Sequence, residues 1–186
     1  MGRKSVTILA TIMLLALAVA PAHATLLTYT LDQSVSLTAG QATTTPVQQF
    51  DPTLGTLNGV TLTFSNGFLS NSSSAYIYNN SSANKTLTWS VSTTVTVAGS
   101  TAFPYSSPQW AESISGKSKG STHYFGGAFT TGNVIVANAL IGNYVGTGFY
   151  QLPVGLDAFS GRVTGGDPLP GWAILHAGGT GGITLA

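Results

Sequence analysis

The sequence predicts an all-β fold, an antiparallel β-sandwich of about ten short strands, jelly-roll-like or immunoglobulin-like in its connections. Three observations predict it. Residues 86–97 alternate so that Leu87, Trp89, Val91, Val95 and Val97 share one face and Ser or Thr occupies the other, which is the period of a half-buried strand. Ser and Thr supply 43 of the 162 residues after position 24, while the residues that solvate helix surfaces are scarce or unclustered. Of the 22 glycines in that stretch, 17 fall within residues 116–186, so the second half should turn often and tightly.

The elements follow in order. Arg3 and Lys4 precede an apolar run over residues 6–20, and Pro21-Ala22-His23-Ala24 ends in an A-x-A signature. That pattern predicts a Sec-type signal peptide over residues 1–24, cleaved after Ala24, and a secreted single domain over residues 25–186. Strands are expected at residues 26–31 and 34–38, with a loop at 43–49. Val60-Thr61-Leu62-Thr63-Phe64 alternates and is closely followed by Asn66-Gly67, the dipeptide that favours a two-residue hairpin. Further strands are expected at residues 75–78, 86–97, 123–129, 133–140, 144–152, 160–164, 172–176 and 183–185, with one short helical turn over 138–141.

Composition narrows the function. Hydrophobic residues make up 43% and charged residues 6%, enough apolar material for one core and too little charge for a disordered chain. Six basic and five acidic residues give a net charge of +1, which falls to −1 without Arg3 and Lys4, so no basic face for nucleic acid is expected. The chain has no cysteine, which removes thiolate nucleophiles, lipoprotein acylation and cysteine-based metal centres. No second apolar run of helical length follows residue 24, so no membrane insertion of the mature chain is expected.

Gln49-Phe50-Asp51-Pro52-Thr53-Leu54-Gly55-Thr56-Leu57, running on to Leu62, resembles the opening phrase of the choice-of-anchor E family of exported bacterial proteins. Tyr144-Val145-Gly146-Thr147-Gly148, followed by residues 149–154 and Ser160-Gly161, is similar to that family's later G-T-G step. The resemblance implies an extracellular or cell-surface location, and it implies no catalytic residues. Members often carry a C-terminal sorting tail of the Pro-Glu-Pro type, and no such motif occurs within these residues. The first phrase also has a local reading: Asp51 accepts from backbone two residues on, Pro52 fixes φ, Gly55 permits a positive φ, and Phe50, Leu54 and Leu57 plug one end of the sandwich.

Catalytic patterns are thin. Gly116-Lys117-Ser118-Lys119-Gly120 matches G-x-S-x-G, but a nucleophile elbow needs a helix after it and the following residues read as a strand. Nor is it a P-loop, since Ala111 stands where the first glycine belongs. His123 and His176 lack metal-ligand spacing, so no cofactor is expected; calcium on Asp32, Asp51, Asp157 or Asp167 stays open although no D-x-D-x-D loop gathers them. Asp167-Pro168-Leu169-Pro170-Gly171 reads as a rigid turn. Glu112 has no evident carboxylate partner for glycoside hydrolysis. Asn71, Asn79, Asn80 and Asn84 begin N-x-[ST] triplets that read as turn-rich polar residues.

The leading expectation is therefore a non-enzymatic, matrix-associated structural or adhesive protein, self-assembling into oligomers or fibres through unguarded sheet edges, with residues 26–31 as a candidate added strand. An alternative is a module binding extracellular polysaccharide through exposed aromatics. Trp89 reads as core, whereas Tyr105 and Trp110, placed in an expected loop, are the candidate ligand contacts. A second alternative is an eight-stranded outer-membrane barrel.

Overall fold

The computed structural model describes residues 33–129 and 132–185. The signal segment with its cleavage point at Ala24, the strand expected at residues 26–31 and Asp32 lie outside the described residues. Among the described residues twelve strands run in order: β1 (Gln33–Thr38), β2 (Gln41–Gln48), β3 (Thr61–Asn79), β4 (Lys85–Val97), β5 (Ser100–Ser106), β6 (Trp110–Ile114), β7 (His123–Ala128), β8 (Asn133–Ile135), β9 (Phe149–Leu156), β10 (Ser160–Val163), β11 (Ala173–Gly178) and β12 (Thr180–Leu185). They form two six-stranded sheets, and every strand pair is antiparallel.

Four pairs of consecutive strands each occupy one ladder position. β5 and β6 lie along one flank of β4, and β9 and β10 along the other. β7 and β8 likewise share one flank of β3, and β11 and β12 the other. Counting each such pair as one strand leaves eight, in the order 1-8-3-6 in the first sheet and 2-7-4-5 in the second. Strand 1 pairs with 8, 2 with 7, 3 with 6 and 4 with 5, as in one long antiparallel ribbon rolled over on itself. Of the two expected sandwich types, this is the jelly roll. The strands form two facing sheets and do not close into one barrel.

The core lies between the sheets because alternation sends every second side chain inward. Val35, Leu37, Phe64, Leu69, Ile77 and Ile183 come from the first sheet and Trp89, Val91, Val95, Val97, Leu152 and Leu156 from the second, all buried. The β4–β5 hairpin turns through Ala98 and Gly99, at φ 51° and 76°. The second is easy for glycine and the first is uncommon for alanine. β3 bulges at residues 70–72, which stand opposite Gly126 alone, between Leu69↔Gly127 and Ser73↔Phe125. A Cβ on Gly126 would lie 2.6–2.7 Å from Asn71 atoms, two of them backbone, so a side chain there would force the bulge apart.

Several expectations need correction. β3 passes straight through Asn66 and Gly67, which pair with Thr184 and Ile183; no hairpin forms there. Residues 43–49, expected as a loop, mostly belong to β2, which pairs along its whole length with β9. The strand expected at 133–140 ends at Ile135 and gives way to a 3-10 segment, Asn138–Tyr144, while the strand expected at 144–152 begins only at Phe149. Leu54 is 64% exposed and does not plug the sandwich.

The turn at Asp51 has the expected form. Asp51 Oδ1 accepts from the Thr53 backbone N–H at 2.9 Å and from its hydroxyl at 2.8 Å, Pro52 begins a 3-10 turn, and Gly55 has φ 138°. The backbone bond and then the hydroxyl bond favour the ionised carboxylate and hold its pKa below the ordinary value. That contribution is present above the ordinary carboxylate pKa and lost as pH falls through the lowered one. The two phrases that carry the family resemblance meet in space: Phe50 N donates to Tyr144 O and Gly146 N donates to Phe50 O.

Candidate functional site

Tyr105 and Trp110 lie on β5 and β6, not in a loop, and both side chains are part of a seam between the sheets. The Tyr105 hydroxyl donates to Gly126 O at 3.1 Å, and its ring packs on Phe125 and Phe129. Burial pushes its phenol pKa up. Trp110 stacks on His123 with centroids 4.6 Å apart and meets Trp89 edge-on at 4.9 Å. Glu112 lies beside them, with Oε1 accepting from Trp89 Nε1 at 2.8 Å and Oε2 from Ser121 N at 2.9 Å. His123 Nε2 stands 3.8 Å from Glu112 Oε1 and has no hydrogen-bond partner; that distance is too long for a hydrogen bond. These aromatics are committed to closing the sandwich edge, so they are poor platforms for a ligand.

The outward face of the first sheet is different. Phe68, Tyr124, Ile135 and Ile174 are 42–82% exposed. Each sits at an outward position of its strand, because β3 buries Leu62, Phe64, Leu69, Ala75 and Ile77 between them. Tyr76 and Tyr78 belong to the same face and are half-buried. Phe68 lies against Gly182, where a Cβ would come within 3.0 Å of its ring. The outward face of the second sheet presents mainly hydroxyls, with Thr86 bonded to Ser113 at 2.7 Å and Ser92 to Ser160 at 2.9 Å, and carries the exposed ring of Phe149 at the start of β9.

At one end of this aromatic face the β3–β4, β6–β7 and β10–β11 loops converge. His176, paired with Tyr76 in the β11 register, stacks on its ring at 4.7 Å, while Lys119 Nζ lies 4.1 Å from the ring centroid. Lys119 bridges to Tyr78 on the flank of β3 away from β11, so the Tyr76 ring has a neighbour from each flank. Asn79, fully buried, ties these loops together: its amide donates to Ala83, Ile114 and Ser115 carbonyls and its oxygen accepts from Ser81. Asn84 accepts from Gly116 N. Three of the four N-x-[ST] asparagines thus sit in or beside this loop cluster, and Asn71 sits in the β3 bulge.

The Gly116–Gly120 stretch is a turn followed by an extended run into β7, with no helix after Ser118. Among the described residues no group of three or more His, Asp or Glu side chains gathers to hold a metal. No helix among them is long and apolar enough to cross a membrane. Comparison with protein-family models, curated proteins and solved structures finds no match.

Proposed function

We propose that the protein is an exported, non-enzymatic surface or matrix component that adheres by binding polysaccharide on the outward face of its first sheet. The observation that carries this reading is the asymmetry of the two faces: Phe68, Tyr124, Ile135 and Ile174 stand exposed on the first sheet, whereas the second presents mainly hydroxyls, with Phe149 at the start of β9 its exposed large apolar side chain. Sugar rings present C–H faces that pack on aromatic rings, and exposed apolar patches on a monomer mark interaction sites. Glu112, the only glutamate in the chain, spends its carboxylate on Trp89 and Ser121, which favours binding over acid–base catalysis. The signal-like N-terminus and the resemblance to choice-of-anchor E proteins support an extracellular or cell-surface setting.

The test is a polysaccharide-binding assay on the secreted chain with Tyr124→Ala. Tyr124 is 71% exposed, so the substitution leaves the core intact. Affinity should fall about tenfold, the loss of one ring contact. Binding that is absent from the start, or indifferent to Tyr124 and Phe68 together, would overturn the reading.

A second reading, self-association through sheet edges, is favoured by where prolines occur. The edge strands of the second sheet, β2 and β5, carry Pro46 and Pro104, which cannot donate to an added strand. In the first sheet, edge strand β1 carries neither proline nor formal charge. Sedimentation velocity should reveal concentration-dependent oligomers that Ser34→Lys with Ser36→Lys abolishes; a single monomeric species at every concentration would exclude this assembly.

A further inference from the structure

The charge on this molecule is small but not evenly spread. The described residues contain four Lys or Arg side chains, Lys85, Lys117, Lys119 and Arg162; Lys117 and Lys119 belong to the loop end of the aromatic face, and Lys85, at the start of β4 in the second sheet, reaches the same loop cluster at Trp172. Lys117 Nζ donates to Asn80 O at 2.6 Å and lies 3.2 Å from its Oδ1; Asn80 N donates to Trp172 O; Lys85 Nζ sits 6.0 Å from the Trp172 ring centroid. Lys119 is set over Tyr76. Each lysine rests on carbonyl or ring groups, and among the described residues no lysine or arginine is ion-paired with a carboxylate. Of the acids among the described residues, Asp51 lies at the far end beside Phe50, Asp157 in the β9–β10 corner, and Glu112 is turned into the seam. Asp167 shares the β10–β11 loop with Gly166, whose carbonyl holds Arg162 Nη1 at 2.6 Å, so one acid and one base offset each other there.

The lysines are also held in place. Lys117 has φ 54°, an uncommon conformation for a side chain of this kind. Its N–H donates to Ser81 O at 2.8 Å and its carbonyl accepts from the Tyr78 hydroxyl at 2.9 Å. A backbone over-determined in this way spends free energy on presenting that side chain, and such spending concentrates at ligand sites. Three lysines with no carboxylate partner among the described residues, set beside Tyr76, Tyr78 and Trp172, combine the two chemistries that an acidic sugar needs, ring contact and charge.

We propose that this end of the face selects anionic polysaccharide, with Lys85, Lys117 and Lys119 contacting carboxylate or sulfate groups while neighbouring side chains on the face pack against the sugar rings. The proposal rests on the polysaccharide-binding reading and names its ligand class. Affinity would be measured for polygalacturonate, dextran sulfate and neutral dextran, at low and raised ionic strength, with a DNA oligomer as a polyanion without the sugar polymer's pyranose rings. Polygalacturonate or dextran sulfate should bind in preference to dextran, and weaken as salt rises. Lys117→Gln and Lys119→Gln should each cost about fivefold toward the preferred polyanion, the scale of one lysine at an anionic surface, while Lys119→Arg retains binding. The better of the two acidic probes tells carboxylate from sulfate. Equal binding of neutral dextran overturns the anionic selectivity and leaves the aromatic-face reading standing; DNA binding as tight as either acidic glycan also overturns it, as does indifference to both lysine variants. Failure to bind any saccharide would remove both readings.

Discussion

Trp89→Ala is expected to destabilise the domain by about 3–5 kcal/mol, the range for removing a fully buried aromatic from a packed core. Trp89 is 0% exposed, sits mid-strand in β4, and meets both Trp110 and His123 edge-on. Its indole N–H also donates to Glu112, so truncation opens a cavity and takes away one donor at once. Trp89→Phe should recover most of the packing without the hydrogen bond, so the gap between the two variants measures the packing share, and what Trp89→Phe still loses against the wild type reports the hydrogen bond together with the smaller ring. Denaturant unfolding with an unchanged m-value would measure it. A loss below about 1.5 kcal/mol would mean that the seam repacks, since only well-accommodated swaps are that mild. The same geometry explains why Trp110→Ala is a poor probe of ligand binding: its ring supports Trp89 and His123, so the variant would lose packing as well as any contact outside.

How much of this was legible in the sequence varies by element, for physical reasons. β4 was legible because its inward residues from Leu87 to Val97 are apolar at every second position but one, Thr93, which is buried with its hydroxyl donating to Asp157 O. Asn66-Gly67 misled because turn preference is local, whereas here both flanks are already satisfied, by β12 and by the bond from Phe129 N to Gly67 O. β2 was hidden by Pro46 among polar residues, a composition that suits a loop and also an edge strand with one missing donor. β5 was hidden by the alanine in its turn, since Ala98 does not advertise a positive φ. The candidate site was the least legible part. Its members lie at positions 76–78, 85, 117–119, 124 and 172–176, unremarkable within each segment. They become neighbours only through the register of β3 with β11 and β7, which no local pattern specifies.

Glu112→Ala is expected to cost about 2–3 kcal/mol, because a buried donor stripped of its acceptor carries a penalty of roughly 1–3 kcal/mol, with more when the lost partner is charged. The carboxylate connects three parts of the structure. It accepts from Trp89 in β4, belongs to β6, and accepts from Ser121 N at the end of the loop that carries Lys117 and Lys119. Gly120 lies so close that a Cβ there would sit 2.7 Å from Glu112 Oε2, which is why the loop can wrap the carboxylate. Glu112→Gln keeps one oxygen for the Trp89 indole but turns an amide N–H₂ toward the Ser121 N–H, so it should cost clearly less than the alanine variant while loosening the loop. If Glu112 fixes this loop, both variants lower the midpoint of unfolding in that order and weaken polysaccharide binding in proportion. If it instead served hydrolysis, Glu112→Gln would abolish turnover of a polysaccharide at unchanged stability, and that result would replace the structural role argued from these two hydrogen bonds.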